Sequence, residues 1–190
     1  MKAFHQEESF HNINFSSNNN TQDEYDTCHF INCDFSNSDL SGTLFTECIF
    51  ENCNLSTAKI NNTSLQQVSF KSCKMIGLQF DECNGFGLSV SFHDCVLNHS
   101  SFYQLNLSNN TFSHCQLKEV DFTLTDLTGS VFHECNLSRA TFDRTNLRQA
   151  DLQTSINYSI NPNQNNIQKA KFSLSNISGL LDCFDVELMP

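Results

Sequence analysis

The sequence predicts an all-β fold: a quadrilateral parallel β-helix of about six coils, closed at its C-terminal end by a short capping helix. Three observations carry this. Large apolar residues recur at every fifth position, a period that neither a helix of 3.6 residues per turn nor a strand of period 2 produces. The residue two places before each of them is small or medium-sized, and the remaining positions are mostly Asn, Asp, Ser, Thr or Gln. Cysteines recur every twenty residues, so four five-residue segments close one circuit.

Residues 1–27 come first and are polar and acidic. Phe10 and Phe15 lie twenty positions before Phe30 and Phe35, which makes residues 8–27 a degenerate first coil, with SSNNNTQDEYDT from Ser16 to Thr27 expected as a loop or frayed stretch. The regular repeats occupy residues 28–154. Their centres run Phe30, Phe35, Leu40, Phe45, Phe50, Leu55, Ile60, Leu65, Phe70, Met75 and Phe80, slip by two residues, and resume from Phe92 and Leu97 to Leu147 and Leu152. The slip falls in CNGFGLSV, Cys83 to Val90, where Gly85, Phe86 and Gly87 read either as a plain bulge or as a loop that contacts a partner.

Each centre and its minus-two residue should point inward, while the turn-favouring residues take the corners. Faces then follow from counting by twenty. One carries Cys33, Cys53, Cys73, Cys95, Cys115 and Cys135, with the slip placed before Cys95; another carries Phe30, Phe50, Phe70, Phe92, Phe112, Phe132 and Leu152; a third carries Leu40, Ile60, Phe80, Phe102, Phe122 and Phe142. At a strand spacing of about 4.8 Å, six coils rise roughly 29 Å. Each coil satisfies its backbone groups on its neighbours, so both ends need caps.

The tail, 155–190, holds a terminal coil and then Ile177, Leu180, Leu181 and Phe184 at i, i+3, i+4, i+7, the spacing of one or two amphipathic helical turns. Val186 and Leu188 alternate after it. Leu180, Leu181, Phe184, Val186 and Leu188 are the expected homodimer interface, because a two-fold contact reuses one patch on both chains.

Composition narrows function. The chain has 190 residues, 18 Phe, 10 Cys, 6 Gly, 2 Pro and a net charge of −11. Ten Lys and Arg in all are too few for a phosphate-binding surface, so no direct nucleic-acid partner is expected. No apolar run approaches a membrane span, and MKAFHQEESF has no apolar core of a secretion signal, which points to the cytoplasm. Nine of the ten cysteines fall at inward minus-two positions, no CxxC occurs, and His93, His114 and His133 lie on an outward face away from them. Packed free thiols, no metal, no cofactor and no catalytic site are the expectations.

Acidic residues fall on two opposite faces. Asp39, Asp81, Glu82, Asp121 and Asp143 lie on the Leu40 to Phe142 face, Glu51, Asp94, Glu134 and Asp151 on the Phe30 to Leu152 face, and the cysteine face is slightly positive. These nine acids are the expected partner-facing surface. Of the net charge, −6 belongs to residues 28–154, from 13 acids and 7 bases.

The motifs ADLQT at Ala150, TNLRQ at Thr145 and CNLSR at Cys135 resemble the pentapeptide-repeat consensus A-(D/N)-L-x-x. That resemblance implies a right-handed quadrilateral β-helix. Within the family, FINCDFSNSDLSGTLFTECIF from Phe30 to Phe50 looks like the N-terminal repeats of the Qnr-type quinolone-resistance proteins, and SGLLDCFDVEL is similar to their capping helix and C-terminal strand. The chain lacks the two long loops that some Qnr proteins project. The resemblance implies a C-terminally joined, DNA-mimicking dimer that binds DNA gyrase or topoisomerase IV and modulates quinolone action. The alternative is a structural or scaffolding β-helix with an unrelated protein partner.

Overall fold

The computed structural model describes residues 2–16, 22–184, 186, 187 and 189. They form the parallel solenoid expected. One wall is a seven-stranded sheet of β2 (Ser9–His11), β4 (His29–Ile31), β6 (Ile49–Glu51), β8 (Val68–Lys71), β9 (Val90–His93), β10 (Thr111–Ser113) and β11 (Val131–His133). Its register stacks Phe10, Phe30, Phe50, Phe70, Phe92, Phe112 and Phe132 directly over one another. A second wall begins with β1 (Phe4–Gln6), β3 (Glu24–Asp26), β5 (Leu44–Thr46) and β7 (Ser64–Gln66). Single parallel bridges hold the other two walls, one running from Asn14↔Asp34 to Asn136↔Ile156 and one from Asp39↔Lys59 to Asp121↔Thr141.

The corners explain why five residues make a side. The second residue after nearly every centre has a left-handed backbone, as at Asn32 (φ 54°), Asn52 (53°), Leu124 (59°) and Gly129 (68°). That conformation is unfavourable for most L-residues. Most such residues send their N–H to a carbonyl of the next coil, as Asn32 does to Glu51 at 2.9 Å and Asn52 to Lys71 at 3.0 Å, so coil stacking holds the bend. Just before the centre, Asp or Asn accepts the N–H two residues on, as Asp34 does from Ser36 (2.9 Å) and Asp126 from Thr128 (3.0 Å). The minus-two residue is small because it reaches back to a carbonyl of the preceding coil. Cys53 Sγ donates to the Phe30 oxygen at 3.3 Å, Thr145 Oγ1 to Phe122 at 2.8 Å and Ser130 Oγ to Leu107 at 2.7 Å.

Rings fill the axis. Phe112 stacks between Phe92 (centroids 5.1 Å, interplanar angle 10°) and Phe132 (4.9 Å, 6°), while Phe102 and Phe122 meet it edge-on at 5.8 and 6.0 Å. Such offset and edge contacts suit the ring quadrupole.

The N-terminal end is more regular than its polarity suggests. The frayed stretch expected over Ser16–Thr27 is corrected at Glu24–Asp26, which is strand β3 between β1 and β5. Tyr25 takes a core position there, stacked on His5 (4.8 Å) and Phe45 (5.2 Å), and Asp23 accepts the Ala3 N–H at 2.8 Å. Residues 17–21 lie outside the described residues. The first coil therefore begins at Phe4, ahead of residue 8.

The two-residue slip is absorbed on one wall. The sheet of β1, β3, β5 and β7 stops at β7; Phe80–Glu82 makes a single 3-10 turn, and residues 85–88 leave the wall before Ser89 N–H returns to the Leu65 carbonyl at 2.9 Å. On the neighbouring wall Phe70 still pairs with Phe92.

At the C-terminal end, 3-10 helices span Leu174–Leu180 and Asp182–Phe184, in place of the amphipathic 3.6-residue turns suggested by the spacing of Ile177, Leu180, Leu181 and Phe184. With three residues per turn, Leu174, Ile177 and Leu180 line up instead. They grade from 90% exposed through 36% to 9% as the helix enters the core end. Gly179 makes the approach feasible, because a Cβ there would lie 2.1 Å from the Tyr158 carbonyl oxygen. Among the described residues, no helix is long and apolar enough to cross a membrane.

Candidate binding surfaces

With its axis filled, the rod offers its outward side chains at fixed steps of one coil. The nine predicted acids lie either just before a centre or one or two residues after it. Asp39, Asp121 and Asp151 sit just before a centre and close turns with the N–H of Ser41 (3.0 Å), Thr123 (2.8 Å) and Gln153 (3.1 Å). Hydrogen bonds from the Ser41 hydroxyl and backbone hold Asp39 below the usual carboxylate range, so it is charged at neutral pH. These three acids are thus structural parts of the bend as well as charges on the surface.

The others sit just after centres. On the Leu40 to Phe142 face, Glu82 accepts the Asn61 amide at 2.9 Å and Asp143 pairs with Arg144 at 3.3 Å. Asp81 is half-buried, and its Oδ1 has no hydrogen-bond partner among the described residues. Opposite, Glu51 meets His29 at 3.1 Å, Asp94 meets His93 at 3.0 Å, and Asp151 also meets Lys171 at 3.1 Å. Glu134 lies 3.1 Å from His114 and 3.8 Å from His133. The structure therefore keeps the two acidic faces apart but places a histidine, lysine or arginine beside many of their carboxylates. His93–Asp94, His133–Glu134 and Asp143–Arg144 are chain neighbours, whereas His29–Glu51, His114–Glu134 and Asp151–Lys171 join adjacent coils, twenty or so residues apart in the chain, and are not visible from face counting.

The bulge projects Phe86 with 84% of its surface exposed, between Gly85 and Gly87. Gly87 has φ +71°, and the Gln66 side chain lies beneath it. At the tail, Leu180 is buried against its own chain and cannot serve a partner, which corrects its place in the predicted interface; closing the core end uses it up. Leu181 is half-buried, Phe184 and Val186 are exposed, and Leu188 lies outside the described residues.

All nine minus-two cysteines are buried free thiols, and Cys183 is exposed. Burial pushes Cys48 and Cys83 up to about 12, so they stay neutral and unreactive near pH 7. A shallow concavity of about 380 Å³ beside the cap is lined by Ser138, Arg139, Tyr158, Asn176 and Asp182 among others.

Proteins built as a cored solenoid with a lattice of outward side chains are generally structural or binding proteins. The sequence model of the pentapeptide repeat region matches residues 24–102 and 87–152, and the chain belongs to that family. No curated protein sequence matches it. Among solved structures it is similar to HetL, a pentapeptide repeat protein involved in heterocyst differentiation regulation from Nostoc sp. strain PCC 7120, at 16% identity and TM-score 0.62, covering 90% of this chain and 87% of that one. It is also similar to a trypsin-treated variant of QnrB1, a plasmid-mediated fluoroquinolone resistance protein, at 19% identity and TM-score 0.50, with 100% of both chains covered. These likenesses establish the fold.

Proposed function

We propose that the chain is a cytoplasmic DNA mimic that binds the basic DNA-binding groove of a type II topoisomerase, DNA gyrase or topoisomerase IV, and alters its response to quinolones. The observation that carries the reading is the placement of acids on two opposite faces of a rigid rod. Support also comes from the likeness to the QnrB1 structure over the full length of both chains. Complementary charge steers encounter and selects a partner more than it adds affinity. The buried thiols, held as free cysteines, suit a reducing compartment. Phe184 and Val186 would join two copies end to end and double the length of the acidic faces; a solution mass of one chain, 21.6 kDa, removes that part of the reading.

A supercoiling assay tests the proposal. Increasing protein is expected to inhibit gyrase or shift its quinolone sensitivity, and the pair Glu82→Gln with Asp143→Asn should require several-fold more protein. No inhibition at high protein together with unchanged quinolone sensitivity would overturn it. A scaffolding role with another partner has its own support in the higher structural similarity to HetL, a protein involved in heterocyst differentiation regulation.

A further inference from the structure

We propose that His114, His133 and Glu134 form a surface site for a borderline divalent transition metal, with zinc as the reference ion. One ligand atom from each of the three lies within 4.8 Å of the others. His114 Nδ1 is 3.1 Å from Glu134 Oε2, and His133 Nε2 is 3.8 Å from Glu134 Oε1. The imidazole rings of His114 and His133 meet edge-on with centroids 5.2 Å apart.

The scaffold beneath them is fixed. His114 and Glu134 occupy the same left-handed corner position one coil apart, at φ 53° and 51°. The His114 N–H donates to the His133 carbonyl at 2.8 Å, and the Glu134 N–H donates to Thr154 Oγ1 at 2.9 Å. Thr154 Oγ1 also lies 3.4 Å from His133 Nδ1. If that nitrogen carries the proton, Nε2 is free on the side facing Glu134, the arrangement in which an outer partner orients a ligating imidazole.

Two imidazoles and one carboxylate suit zinc and its neighbours, whereas calcium and magnesium take more oxygen ligands. Metal–ligand bonds of about 2.0–2.2 Å require the three atoms to draw together by roughly an ångström. Side chains that are 39%, 48% and 57% exposed can rotate that far without disturbing the core. Three protein ligands leave a fourth position for water. The inward cysteines cannot join these histidines; the third donor is the carboxylate of Glu134, next to His133 and one coil on from His114. The inference is independent of the topoisomerase reading.

The test is equilibrium dialysis of the reduced, full-length protein against zinc chloride. One zinc per chain is expected, with His114→Ala and His133→Ala each weakening binding by about tenfold or more, comparable to or greater than the loss of an outer-shell partner. His29→Ala and Cys183→Ser should leave affinity unchanged, and circular dichroism should show all four variants folded as the parent. Absence of saturable uptake overturns the site. So does uptake that both histidine variants retain, or that Cys183→Ser abolishes.

Discussion

Phe112→Asp is expected to unfold the protein or drive it into aggregates. Phe112 is fully buried and contacts four other phenylalanine rings, two stacked and two edge-on. Truncating such a ring costs about 3–5 kcal/mol through lost burial and the cavity left behind. An aspartate also has to be desolvated or protonated in an apolar axis, which adds several kcal/mol. Against a total stability of about 5–15 kcal/mol, the sum removes most or all of the margin. Phe112→Leu keeps an apolar residue in the stack and should lose far less. Urea unfolding followed by circular dichroism separates the two. A soluble Phe112→Asp protein with a midpoint near the parent would mean that the ring does not sit in a dry axis.

Gly179→Ala should spring the C-terminal cap. Its new Cβ would stand 2.1 Å from the Tyr158 carbonyl oxygen and 2.8 Å from the Tyr158 ring, and a backbone oxygen inside the last coil cannot move aside as a flexible side-chain tip would. Relief requires the Leu174–Leu180 helix to back away. That motion breaks the Ile160 N–H to Gly179 carbonyl bond (2.8 Å) and the Asn176 amide bond to the Ser155 carbonyl (3.1 Å), and it withdraws Leu180 from the core end. Overpacking costs about 1–3 kcal/mol and uncovering a leucine about 1.5–3 kcal/mol, with part of the strain relieved as the helix leaves. Limited proteolysis should cut within residues 174–184 at least tenfold faster than in the parent, with the melting temperature lowered. Gly85→Ala is the matched control, since a Cβ there meets nothing within 4 Å. Parent-like cleavage and melting for Gly179→Ala would show that the cap does not depend on this close approach.

The repeat was legible because a solenoid writes its cross-section into the sequence at a fixed period. Phe30, Phe50 and Phe70 could be stacked by counting, and the register confirms it. Three things were not legible. The left-handed corner is occupied by residues as different as Asn52, Leu124 and Arg139, so composition at that position conceals the constraint; coil stacking enforces it. Strand β3 was hidden because Glu24 and Asp26 are acidic, although Tyr25 between them is a core residue stacked on Phe45. The cap helix misled by its spacing, since Ile177, Leu180, Leu181 and Phe184 satisfy a 3.6-residue pattern while the backbone takes 3.0 residues per turn.

The candidate surfaces divide the same way. Counting by twenty placed the acids on opposite faces, but it could not show that Asp39 and Asp121 also close turns, or that His114 and Glu134 meet across a coil boundary. This bears on mimicry. The net charge of −6 over residues 28–154 spreads along roughly 29 Å of coils, about one net charge per 5 Å. Duplex DNA carries one per about 1.7 Å. Bulk acidity is therefore a poor imitation of DNA, and binding by mimicry has to rest on where the carboxylates stand.

The most direct measurement of the central proposal is competition on the enzyme. Labelled protein is titrated with DNA gyrase at low salt, and unlabelled duplex DNA is then added. Saturable binding, displacement by duplex, and weakening of the complex as salt rises are the expected results. Failure to bind, or a stable ternary complex from which duplex displaces nothing, would contradict the proposal.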